Sequence, residues 1–112
     1  MTYAATLSAL ADPTRRAVYE RVRRRPQAVG ELARALDVSQ PAVSQHLKVL
    51  RSARLVRARQ EGTRRIYSAD AEGLAELRRY IELMWDDVLA AYAATAVEAS
   101  PARARGRARP SQ

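Results

Sequence analysis

"SQPAVSQHLKVL", residues 39–50, reads as one helix with two unlike faces. Val43, Leu47 and Leu50 recur at steps of four and three, so they share one side of a 3.6-residue helix. Gln40, Ser44, Gln45, Lys48 and Arg51 fall on the other side. Ser39 stands at the N-cap, where its hydroxyl can accept from the amide of residue 42. Pro41 fits the first turn, because no intrahelical donor is lost there. The apolar stripe needs a body to cover it. The outward face, with short amides, a hydroxyl and the chain's only lysine, needs a partner rich in donors and acceptors.

The flanking residues supply the body. "VGELARAL", residues 29–36, is a second helix with Leu32 and Leu36 inward; Ala28 before it offers no capping side chain, so its start is soft. "DVS" is the turn between the two helices. Upstream, "ADPTRRAVYERVRRRP" at 11–26 has Asp12 as an N-cap, Pro13 at the first helical position and Pro26 as the stop. Val18 and Val22 form its core stripe, and Arg21, Arg23, Arg24 and Arg25 suit its negative end. Residues 3–11 form a short apolar helix anchored by Leu7 and Leu10.

Downstream the period changes. In "LVRARQEGTRRIYSA", β-type residues flank "QEGT" with Gly62 at the turn, which predicts a hairpin at about 55–60 and 64–69. From Asp70 the helical period returns: Leu74, Leu77, Ile81, Met84, Val88 and Tyr92 step by three or four, and Trp85 and Leu89 widen the stripe. This helix is expected to end near 96. Residues 99–112, "ASPARARGRARPSQ", have no large apolar side chain and are expected to be disordered. The domain expectation is therefore 1–98 folded and 99–112 an arginine-rich tail.

Composition narrows the partner. The chain has 112 residues and a formal charge of +8, enough for one domain and suited to a polyanion. The charge is not spread evenly. Between 39 and 69, Lys48, Arg51, Arg54, Arg57, Arg59, Arg64 and Arg65 face only Glu61. Between 70 and 98, Asp70, Glu72, Glu76, Glu82, Asp86, Asp87 and Glu98 outnumber Arg78 and Arg79. There is no cysteine, which removes disulfides and thiolate metal sites and fits a reducing cytoplasm. No apolar run is long enough to span a membrane, and the N-terminus has no secretory signal pattern.

Helix, turn, helix and hairpin in that order predict a mainly α fold with a small β-hairpin, a winged helix-turn-helix of order α-α-α-α-β-β-α. Such a domain explains the polar face of 39–51. The major groove admits one helix and displays base-edge donors and acceptors; Gln suits adenine, Lys suits guanine or phosphate, and Ser suits either. The expected recognition residues are Ser39, Gln40, Pro41, Ser44, Gln45, His46, Lys48 and Arg51. The expected wing contacts are Arg57, Arg59, Thr63, Arg64, Arg65 and Tyr67, against phosphate or in the minor groove.

"ALADPTRRAVYERV", "VGELARALDVSQPAVSQHLKVLRSARLV" and "RQEGTRRIYSA" resemble the ArsR family of bacterial winged-helix repressors over about residues 4–95. The resemblance implies a homodimer whose first and last helices form the interface, and operator binding that blocks transcription. Leu7, Leu10, Leu77, Ile81, Met84, Trp85, Val88, Leu89 and Tyr92 are the expected interface. The helix ending "LMWDDVLAAY" resembles members without metal-binding residues. The family's sensing cysteines fall in the helix matching "ELARAL", which has none here. Its second site, on the last helix, uses Asp and His, and here only Glu82, Asp86 and Asp87 stand. Those carboxylates suit a solvated face or a weakly held hard cation. No metal, cofactor or catalytic residue is expected, and no residue pattern identifies an effector.

Other readings stay open beside this one. His46 can touch phosphate or pack at the helix shoulder. Trp85 can sit in the interface or serve as a ligand platform. The tail "RARGRARP" faintly resembles minor-groove hooks, or attracts phosphate without selectivity. The domain as a whole can be an architectural DNA binder driven by charge, or a protein-interaction module that has kept the winged fold. An enzyme is disfavoured, because no nucleophile–base pair, phosphate loop or metal cluster is visible.

Overall fold

The structure, a computed structural model, describes residues 3–99, with side chains as far as residue 96. The arginine-rich tail expected over 99–112 lies, beyond the end of the last helix, outside the described residues. The elements are α1 (Tyr3–Ala11), α2 (Pro13–Arg24), β1 (Gln27–Ala28), α3 (Val29–Leu36), α4 (Gln40–Ser52), β2 (Val56–Glu61), β3 (Arg64–Ala69) and α5 (Ala71–Ala99). The expected order holds, with one addition. The β2–β3 hairpin forms as expected, and β1 pairs antiparallel with β3 beside it, giving a three-stranded sheet of order β1-β3-β2.

Local chemistry sets the helix starts. Asp12 Oδ1 accepts from the Arg15 amide at 2.9 Å, with Pro13 following in the first turn of α2. Ser39 Oγ accepts from the Ala42 amide at 3.3 Å. The soft start of α3 is supported from inside the helix, where Glu31 Oε1 accepts from the Ala28 amide at 2.9 Å. This is the returning half of a capping box, and it works without a capping side chain at Ala28. Asp70 Oδ1 accepts from the Glu72 amide at 3.0 Å and opens α5.

The two arginines of "PTRR" close α1. Arg15 Nε donates to the Ala9 carbonyl at 2.6 Å and Arg16 donates to the Leu10 carbonyl at 2.7 Å. They fill acceptors that a helix C-terminus otherwise leaves to water. Gln27 does the same for α2: it is buried, and its Nε2 donates to the Arg21 carbonyl at 2.9 Å.

The core lies between α2, α3, α4 and the sheet. Val18, Leu32, Val43, Leu47, Leu50 and Leu55 are fully buried in it. One expectation fails in α1. Leu7 is exposed and Leu10 only half-buried; the inward residues are Thr6 and Ala9. Helix α1 lies mainly against α2 and α4. Thr6 Oγ1 donates to the Gly73 carbonyl of α5 at 3.2 Å, a buried polar contact that Leu7 cannot make. Leu36 is likewise half-buried rather than fully inward.

The body extends as far as Arg78, and from Arg79 onward α5 forms a unit of its own. In that second unit Ile81, Met84, Trp85, Val88, Leu89 and Tyr92 are all exposed, Trp85 to 62%.

Candidate nucleic-acid interface

Helix α4 divides as its sequence predicts. Val43, Leu47 and Leu50 are fully buried, while Gln40, Pro41, Ser44, Gln45, Lys48 and Arg51 are exposed. Burying three large apolar side chains on one side fixes the rotation of the helix about its axis. The polar side chains therefore have one stable direction, which a groove reader requires. Helix α3 packs against α4 across the turn 37–39, where Asp37 takes a left-handed conformation (φ 54°). That residue ends α3 and redirects the chain into the Ser39 cap.

His46 does not share the outward face. It is half-buried and lies near Asp12 at the start of α2, whose carboxyl is held below its ordinary range chiefly by the Arg15 amide. This position is the helix shoulder. Val49 does share the outward side, at 39% exposure, and the sequence reading passed over it. An apolar group there can meet only an apolar feature of DNA, such as a thymine methyl.

The wing is the β2–β3 hairpin, closed by the pair Glu61–Arg64. Gly62 has φ +64°, the conformation that the first central residue of a II′ turn requires. Directly opposed residues project to the same face, so Arg59, Glu61 and Arg64 lie on one face and Arg65 and Tyr67 on the other.

The wing arginines differ in their partners. Arg59 makes a two-pronged pair with Glu61 Oε2, at 2.8 Å from Nη2 and 3.2 Å from Nε. Arg64 reaches Glu31 Oε1 of α3 at 3.0 Å, the same oxygen that takes the Ala28 amide. The Glu31 carboxyl is accordingly held below its ordinary range, first by that amide and then by the Arg64 charge. Arg65 stands 5.9 Å from the centroid of the Tyr67 ring, and Tyr67 is itself half-buried against the core. Among the described residues neither Arg57 nor Arg65 is ion-paired. Thr63 is exposed at the tip.

The expected recognition and wing residues are thus brought to two neighbouring elements, with His46 and Tyr67 turned partly inward. Glu31 and Val49 were missed. The capping position of Glu31 was readable, but its reach to Arg64, 33 residues away, was not. Among the described residues, no group of three His, Asp or Glu side chains converges on a metal-sized site, and no helix is long and apolar enough to cross a membrane.

Known proteins share this arrangement. A helix-turn-helix domain family model matches residues 10–59. The HTH-type transcriptional regulator Rv2034 of Mycobacterium tuberculosis is 60% identical over 85 residues, covering 76% of this chain and 79% of that protein. The chain spans about half the length of other curated regulators it matches. Among solved structures, an ArsR-like transcriptional regulator from Rhodococcus sp. RHA1 superposes with a TM-score of 0.71 at 32% identity, over 84% of this chain and 92% of that one. The homodimeric winged helix-turn-helix DNA-binding domain Mb0332 of Mycobacterium bovis gives 0.60 at 31% identity, over 77% and 80%.

Proposed function

The chain belongs to the ArsR family of winged helix-turn-helix regulators and is a DNA-binding transcriptional regulator, and on that premise we propose a cytoplasmic homodimeric repressor of a palindromic operator. The observation that carries this reading is the outward face of α4. Gln45 and Lys48 stand exposed opposite a stripe that is wholly buried, in a helix whose rotation the core fixes. Ser39, Gln40, Pro41 and Ser44 of the first turns approach base edges and phosphates, and Arg51 the backbone. Arg57 and Arg65 give the wing its phosphate contacts. Residues 1–98 act as the DNA-binding and dimerisation domain.

The dimer follows from α5. An apolar stripe as long as Ile81–Tyr92 is not left in water by a stable protein, and a second copy offers a matching stripe. Leu7 on α1 is exposed as well, and Leu7, Leu10 and Leu77 complete the set of residues proposed for contact with the second copy. Two recognition helices related by a twofold axis would meet half-sites about 34 Å apart. The family and the relatives are transcriptional regulators, and the protein accordingly acts by occupancy of DNA.

The test is fluorescence anisotropy with the DNA upstream of the protein's own gene and with a scrambled duplex, at two salt concentrations. A preference of about 10³ or more for the first, of the size specific regulators show, supports the repressor. Equal binding to both, lost together as salt rises, would replace it with an architectural binder driven by charge.

A further inference from the structure

The wing holds acids that a surface built only to grip DNA would not carry. Arg59, Glu61, Arg64 and Glu31 form a chain of alternating sign: Glu61 occupies Arg59 through two hydrogen bonds, and Glu31 occupies Arg64 from α3. Arg64 stands directly across the hairpin from Glu61, yet it bonds Glu31. Each acid therefore serves a different arginine, and the two pairs together carry no net charge. All four side chains keep substantial exposure, from 31% for Glu31 to 58% for Glu61, so solvent and counterions reach them. Exposed pairs of this kind are weak, and a phosphate can displace the carboxylate.

We propose that Glu31 and Glu61 are phosphate competitors: each holds a wing arginine in the free protein, so that DNA must displace a carboxylate before Arg64 or Arg59 can contact its backbone. This rests on the DNA-binding reading above and adds residues to it that oppose binding. The consequence is a wing whose ready charge is Arg57 and Arg65 alone. The sequence-independent part of the affinity is held down, and contact with Arg59 and Arg64 is conditional on a close fit.

Full-length Glu31→Gln and Glu61→Gln test it, with Arg64→Gln and Arg59→Gln each alone and each combined with the variant of its partner. Gln at 31 retains an oxygen for the Ala28 amide, and Glu61 caps nothing, so at least one variant keeps the native fold; thermal melting verifies this. Affinity is measured for a scrambled duplex and for one enriched from a random-sequence pool, across a salt series. Each Glu→Gln change is expected to tighten the scrambled duplex by about two- to fivefold. Its salt slope should steepen by about 0.9 for each added phosphate contact, about 1.8 for the two wings of a dimer. Both gains should vanish when the partner arginine is already Gln. An unchanged slope, or a gain that survives loss of the arginine, would overturn the proposal, the latter because it reports general charge. A wild-type chain that binds no duplex would instead overturn the DNA-binding reading, and this proposal with it.

Discussion

The Gly73 amide donates to the Arg54 carbonyl at 2.8 Å, so the first turn of α5 is seated against the turn that follows the recognition helix. A Cβ at residue 73 would lie 2.4 Å from the Ala53 carbonyl oxygen and 2.8 Å from that of Arg54. Both are backbone atoms and cannot swing aside. Arg54 itself is left-handed (φ 60°), and its side chain is paired with Glu72. In an open helix, Gly→Ala stabilises. Here Gly73→Ala should destabilise by about 1–3 kcal/mol, the scale of overpacking a tight contact. Urea unfolding checks it, and a midpoint at or above the wild-type value would show that the two segments can separate freely.

Gln45 and Lys48 should fail in different ways. Gln45 has a side chain that can pair with a base edge, so Gln45→Ala should remove about 1–3 kcal/mol of discrimination at one position of the site. Affinity for scrambled DNA should stay near wild type. Lys48 carries charge, and Lys48→Ala should weaken both duplexes and make the salt slope shallower by about 0.9 for each recognition helix, about 1.8 for the dimer, if it meets a phosphate. A Lys48→Ala variant whose slope is unchanged but whose base preference relaxes would move Lys48 from the backbone to a guanine.

The sequence was most legible where one residue type acts on its own turn. Asp12 with Pro13, Ser39 with Pro41, and Gly62 announce their caps and turn within four residues, and each is found in place. The stripe of α4 was legible for the same reason, since helical period alone sorts its faces. What failed was non-local. Strand β1 has two residues, too few for any alternation, and exists because Ala28 and Gln27 meet Ile66 and Tyr67. In α1 the large residues suggest anchors, but the helix rests on α2 and α4 through Thr6 and Ala9, and Leu7 stays outside. The site was legible in its cations but not in their partners: no local signal joins Glu31 to Arg64.

Acid should unfold the body by a definite route. Asp12, Glu20 and Glu31 all have carboxyls held below their ordinary range, chiefly by the Arg15 amide, by an Arg23 hydrogen bond and by the Ala28 amide respectively. Each binds its proton more weakly folded than unfolded. Their contribution is therefore complete above the unfolded pKa values and is lost as pH falls through the lower folded ones. Stability should be flat near neutrality and drop below about pH 4. Urea midpoints from pH 7 downward measure this. Glu31→Gln should lower the neutral midpoint and flatten the acid limb, so that its curve meets that of the wild type in acid, and a neutral midpoint and acid limb identical to wild type would remove Glu31 from the account.

Trp85 decides whether α5 works as an interface. It is 62% exposed in the single chain, beside Ile81 and Val88 on the same helix, and no polar face of a solvated helix would place an indole there. Trp85→Glu puts a charge at the centre of that stripe, where burial against a second copy would strand it without a partner. Sedimentation at micromolar concentration should show the wild type as a dimer and the variant as a monomer. The body up to Arg78 has its own core, so its melting should persist. Operator affinity should then fall by about 10²–10⁴, because the second half-site is no longer held at high effective concentration. The salt slope should fall with it, since half the phosphate contacts go. A monomeric variant that binds the operator as tightly as wild type would mean that one winged domain suffices and that the stripe on α5 serves another partner.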